Sequence, residues 1–95
     1  MNNRNIIFAP RAKKRLEDVA EYLYQQSRSK SFVRGYLRQF EEWLETLLGQ
    51  FPESGTLMIE YGENIRRIVY REYSFLYKIS DDTIEILTVY RDNLP

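Results

Sequence analysis

The chain has 95 residues, 43% of them hydrophobic and 29% charged, with 14 cationic groups against 14 anionic ones, which fits one small globular domain (1–95) with a single core. It contains no cysteine and no histidine, which removes disulfides, thiolate metal sites, cysteine nucleophiles and Ser-His-Asp arrangements. No apolar run exceeds four residues and Met1-Asn2-Asn3-Arg4-Asn5 lacks an apolar stretch, so neither a membrane span nor a signal peptide is expected, and the cytoplasm is the default location.

The charge is unevenly placed. Residues 1–40 hold nine Lys/Arg and three Asp/Glu, while residues 41–63 hold six Glu and no cation. Such polarity suits either an interaction surface or solvated helix faces.

In chain order, Ile6-Ile7-Phe8-Ala9 reads as a strand closed by Pro10. Ala12, Leu16, Val19, Ala20 and Leu23 then recur at helical spacing, predicting an amphipathic helix over about 10–26 with Pro10 in its first turn. Ser27 to Ser31 form a polar connector in which Ser29 or Ser31 caps a second helix. The apolar stripe of that helix runs Phe32, Val33, Tyr36, Leu37, Phe40, Trp43, Leu44, Leu47 and Leu48, with Gly49 as the expected stop. Gly35 inside the stripe would permit a close helix–helix approach. The short connector implies an antiparallel helical hairpin.

Phe51-Pro52-Glu53-Ser54-Gly55 reads as a turn, after which the period becomes two. Thr56 to Glu60 suggests an irregular edge strand, and Ile65 to Tyr70, Tyr73 to Ile79 and Thr83 to Tyr90 read as strands, the last two joined through Ser80-Asp81-Asp82. The predicted fold is therefore α+β: β-α-α-β-β-β, an N-terminal strand and a helical hairpin packed on a small, mainly antiparallel sheet.

Alternation places Ile84, Ile86 and Thr88 on one side of the closing strand and Leu87 and Val89 on the other, while Tyr73, Phe75, Tyr77 and Ile79 oppose Leu76. Both sheet faces thus carry large apolar groups, but one hairpin covers only one of them. The second face is then completed by a partner or by Asn93-Leu94-Pro95.

Arg66, Arg67 and Arg71 lie on or just after one strand, and Arg91 ends the last strand beside Tyr90. Arg66 shares a face with Ile68 and Tyr70, and Arg67 points the other way. Arginines among tyrosines either grip anions and stack on rings, or pair with Glu63, Glu72 and Asp92 around a core. Asp81-Asp82 suits a turn, and Glu41, Glu42 and Glu45 suit a solvated helix face. Six serines without a histidine argue against nucleophilic catalysis, and no Gly-rich phosphate loop occurs. These residues describe a binding protein with no metal or cofactor.

Arg11-Ala12-Lys13-Lys14-Arg15-Leu16-Glu17-Asp18-Val19-Ala20-Glu21-Tyr22, the Tyr36 to Leu48 stripe with Phe51-Pro52 and Gly55, Arg66 seven residues before Tyr73-Ser74-Phe75-Leu76-Tyr77, and Ile84 to Arg91 form an ordered set. Over roughly residues 6–92 this set resembles the ParE/RelE superfamily of bacterial toxin–antitoxin toxins, the ParE branch more than the RelE branch. The resemblance implies a type II toxin that inhibits DNA gyrase by binding it and is neutralised by a cognate antitoxin. Arg66, Arg67, Arg71, Tyr73, Leu76, Tyr90 and Arg91 are then the target- or antitoxin-binding residues. Sequence-specific DNA binding is not expected. The alternative implied is a RelE-like endoribonuclease cutting mRNA on the ribosome, with Arg66, Arg67 and Arg91 at the scissile phosphate. Ser74 stands where those nucleases carry an arginine, and Tyr90-Arg91 stands where ParE chains often have a His-containing turn.

Overall fold

Asn5–Phe8 forms β1, and a computed structural model describes the protein over residues 4–91. Pro10 opens α1 (Pro10–Ser27), since its fixed φ suits a first turn and its missing N–H has no helical partner there. Arg28 ends α1 in left-handed backbone (φ 56) with its N–H on the Tyr24 carbonyl at 2.7 Å. Ser29 then caps α2 (Lys30–Gln50), its Oγ accepting from the Phe32 N–H at 3.1 Å. This two-residue joint folds α2 back on α1.

Gly49 does not stop α2, which runs on to Gln50. The stop is set by Pro52, which keeps Phe51 out of helical backbone (φ −132, ψ 69). Gly35 mediates no close helix approach either, because a Cβ placed there meets no atom within 4 Å. The expected edge strand is cut to β2 (Thr56–Leu57), followed by a single 3-10 turn at Ile59–Tyr61.

The remaining strands are β3 (Ile65–Tyr70), β4 (Tyr73–Ile79) and β5 (Thr83–Arg91). They assemble into a five-stranded sheet in the order β1-β5-β4-β3-β2, antiparallel except for the parallel β1–β5 pair. The α+β class and element order therefore match the sequence reading.

The two helices pack on one side of this sheet. Ala12, Val19 and Leu23 of α1 and Val33, Phe40, Leu44 and Leu48 of α2 meet Ile68, Tyr73, Phe75, Tyr77, Ile84, Ile86 and Val89 in one buried cluster. Phe40 sits at its centre, with edge-on contacts to Tyr36, Tyr70, Tyr73 and Phe75 at 5.2–5.7 Å.

One sequence expectation fails here. Leu76 pairs with Thr88 but Tyr77 pairs with Ile86, so the β5 strand bulges at Leu87. The extra residue turns Val89 onto the helix side with Ile84 and Ile86, and moves Thr88 to the face of Leu76. On that open face Val69 and Ile7 are exposed, whereas Ser74 and Leu76 are buried although neither joins the helix-side cluster. Asn93-Leu94-Pro95, the chain's own alternative cover, lies outside the described residues. No described helix is long and apolar enough to cross a membrane.

Candidate functional site

The four arginines singled out from sequence do not form one site. Arg66 faces the helices opposite Tyr77, and its Nη1 donates to the carbonyls of Gly55 at 2.8 Å and Glu53 at 3.2 Å. The Tyr77 hydroxyl lies in the same knot, accepting from the Gly55 N–H at 3.0 Å and donating to the Pro52 carbonyl at 2.7 Å. Arg66 thus fastens the 52–55 turn to the sheet. Its aligned donors meet fixed carbonyls, and no anion site is needed to explain it. Arg67 points to the open face as alternation requires, with its Nε donating to Ser74 Oγ at 3.0 Å.

Arg71 and Arg91 stand at the opposite end of the sheet, where Tyr70, Tyr73 and Arg91 lie side by side on β3, β4 and β5. The Arg91 guanidinium lies 4.8 Å from the Tyr22 ring centre and pairs with Glu72 at 3.1 Å. That pair is the Glu72 partner anticipated from sequence. Arg91, Tyr22, Tyr73 and Tyr90 also border a cleft of about 220 Å³ that Arg15 and Asp18 of α1 close from the other side. Arg71 lies over two rings, Tyr36 at 4.8 Å and Tyr70 at 5.2 Å, and its Nη2 donates to Gln39 Oε1 at 2.6 Å.

Tyr73 joins these two arginine settings. It is almost wholly buried, and burial, reinforced by Tyr36 nearby, pushes its hydroxyl above the usual tyrosine range while the Arg91 charge opposes the shift. Trp43 stacks on Tyr70 at 4.4 Å and 20° between ring planes, which fixes the ring beneath Arg71.

Of the seven sequence candidates, Tyr73, Tyr90 and Arg91 line one cleft, Arg71 lies at the same end of the sheet but in a separate one, Arg67 and Leu76 share the open face, and Arg66 stands apart. Tyr22, Phe32, Tyr36 and Gln39 were not foreseen as site residues. Their signal was present in the Phe32-Tyr36-Phe40 step, whose apolar stripe extends a full turn beyond the core, leaving Phe32 49% exposed. No group of acidic side chains suited to a metal occurs among the described residues.

A chain from the chromosomal ParDE toxin–antitoxin system of P. aeruginosa is similar, with TM-score 0.71 and 14% identity over 94% of this chain and 96% of that one. A chain from the RelBE2 toxin–antitoxin complex of Mycobacterium tuberculosis is similar at TM-score 0.67 and 20% identity, over 97% and 94% respectively. No curated protein sequence matches the chain. The profile of the family described as the ParE toxin of the type II toxin–antitoxin system parDE matches residues 6–93. The bulged, mainly antiparallel sheet under a helical hairpin, with tyrosines and arginines gathered at one end, is thus the form taken here by a member of the ParE toxin family of type II toxin–antitoxin systems.

Proposed function

We propose that the protein acts in the bacterial cytoplasm as a single-domain toxin that inhibits DNA gyrase by binding it, and that a cognate antitoxin silences it. The dispersal of the arginines supports binding over catalysis. Cleaving an RNA backbone requires cations to converge on one phosphate as charge develops. Arg66 and Arg91 sit opposite Tyr77 and Tyr73 of β4, which separates them by about 13 Å along the strand and about 10 Å across it. Arg67 projects from the other face, and Arg66 is committed to two carbonyls. A RelE-like cut at a phosphate held by all three would require the sheet to be rebuilt.

Surfaces for partners are available instead. The open face offers Val69 and Tyr90 around Leu76, and the Arg71–Arg91 end offers cations resting on tyrosines. An antitoxin segment with acidic and apolar side chains matches both. The decisive experiment is ATP-dependent supercoiling of relaxed plasmid by gyrase, with and without the purified protein. Inhibition relieved by the antitoxin is the expected result. Unimpaired supercoiling together with ribosome-dependent mRNA cleavage would overturn the proposal.

A further inference from the structure

The cleft at the start of α2 combines a cation that no described carboxylate neutralises with an aromatic wall. Ser31, Phe32, Gly35, Tyr36, Gln39 and Arg71 enclose about 370 Å³. No carboxylate among the described residues pairs with Arg71, whereas Arg91 is held by Glu72. Arg71 also sits in left-handed backbone (φ 58), where a glycine would be relaxed and a long side chain is disfavoured. Its guanidinium is already oriented, with a face on Tyr36 and Tyr70 and one edge on Gln39, so little freedom remains to be lost when an anion arrives. Phe32 leaves half its surface in water beside it, and a Cβ at Gly35 would meet open space.

We infer that this cleft docks an acidic peptide segment of a partner protein: an Asp or Glu carboxylate forked onto Arg71, with an adjacent aromatic or aliphatic side chain laid over Gly35 against Phe32 and Tyr36. The volume exceeds what a lone carboxylate fills and suits such a pair of side chains. A fixed guanidinium presents two parallel donors to a carboxylate, which gives orientation as well as attraction. Nucleic acid fits less well, because backbone binding draws on several phosphate contacts and this cleft has one cation among neutral groups. The inference rests on the reading that the protein docks protein partners, and it does not depend on gyrase being among them.

Trp43 provides a built-in reporter, being the sole tryptophan and stacked on the Tyr70 ring under Arg71. The intact protein is titrated with N-acetyl-Asp-Phe-amide, N-acetyl-Asn-Phe-amide and thymidine monophosphate while Trp43 emission is followed. The acidic dipeptide should give a saturable change, weakened at least about tenfold in Arg71→Gln or with the Asn dipeptide. Gly35→Leu, which occupies the cleft and leaves Arg71 unsubstituted, should abolish the response while the circular dichroism spectrum and melting temperature are retained. A flat titration, equal affinity in Arg71→Gln, or tighter binding of thymidine monophosphate would each overturn the inference. Because the supercoiling assay uses no probe and this titration uses no gyrase, failure of one reading is separable from failure of the other.

Discussion

Removing one oxygen atom, as in Tyr77→Phe, tests whether the turn between α2 and β2 is fastened as described. The ring remains in the core, so little apolar contact is lost, but the hydroxyl that accepts from the Gly55 N–H and donates to the Pro52 carbonyl disappears. Gly55 is buried and its amide gains no water in exchange, whereas the Pro52 carbonyl is only partly buried and rehydrates. An orphaned buried donor costs about 1–3 kcal/mol and the second bond adds a fraction of that, so the expected loss is about 2–3 kcal/mol. For a domain of this size that lowers the melting temperature by roughly 10–20 °C. Urea unfolding followed by circular dichroism measures it directly, with an unchanged m-value showing that the unfolded state is unaffected. A loss below about 1 kcal/mol would refute the reasoning, since the amide must then find another partner at no cost. Gly55→Ala attacks the same knot from the other side, because its Cβ would fall 2.7 Å from the Tyr77 oxygen and 2.8 Å from the Arg67 carbonyl. The two changes together should cost less than their sum, with part of the penalty persisting through the backbone clash.

Tyr73 and Tyr77 carry hydroxyls that burial pushes above the ordinary 10.0, so both hold their protons more tightly folded than unfolded. Stability is accordingly full below the unfolded value near 10.0 and falls as pH rises through it toward the folded ones, a slope that alkaline denaturation should show flattened in Tyr77→Phe. Phe40→Ala, at a 2% exposed position ringed by four aromatic side chains, should cost about 3–5 kcal/mol in the same urea assay. Arg91→Ala breaks a half-exposed ion pair and a cation–ring contact, so it should leave the urea midpoint close to that of the unsubstituted protein. A supercoiling titration should nonetheless show it to be the weaker inhibitor; unaltered potency would remove Arg91 from the proposed contact surface.

Patterns of period 3.6 and 2 were enough to place both helices and the three long strands, because each such element buries a regular stripe. What escaped the sequence was set by single residues acting across the fold. The bulge at Leu87 has no signature in a run as regular as Ile84 to Tyr90, yet it changes the side on which Val89 and Thr88 lie. Gly49 looked like the natural helix stop, but the restriction that Pro52 imposes on Phe51 prevailed two residues later. Arg66 looked equivalent to its neighbours Arg67 and Arg71. Only the return of the 52–55 turn beneath β3 makes it a structural pin. The pairing of helix tyrosines with strand-end arginines was illegible for the same reason. Periodicity assigns a residue to a face but not to the element that will come opposite it.

The parallel seating of β1 beside β5 bears on how the molecule comes into being. Asn5 through Phe8 find their strand partners in Thr83 through Ile86, and β5 is also the strand that links β1 to β4. A nascent chain that has cleared the ribosome only as far as residue 82 can form its helical hairpin and pair β2, β3 and β4, but its first strand has no partner strand. Closing so long a loop is slow compared with making local turns. The seat of β1 and the Arg91 end of the sheet are therefore completed last, when β5 enters between β1 and β4.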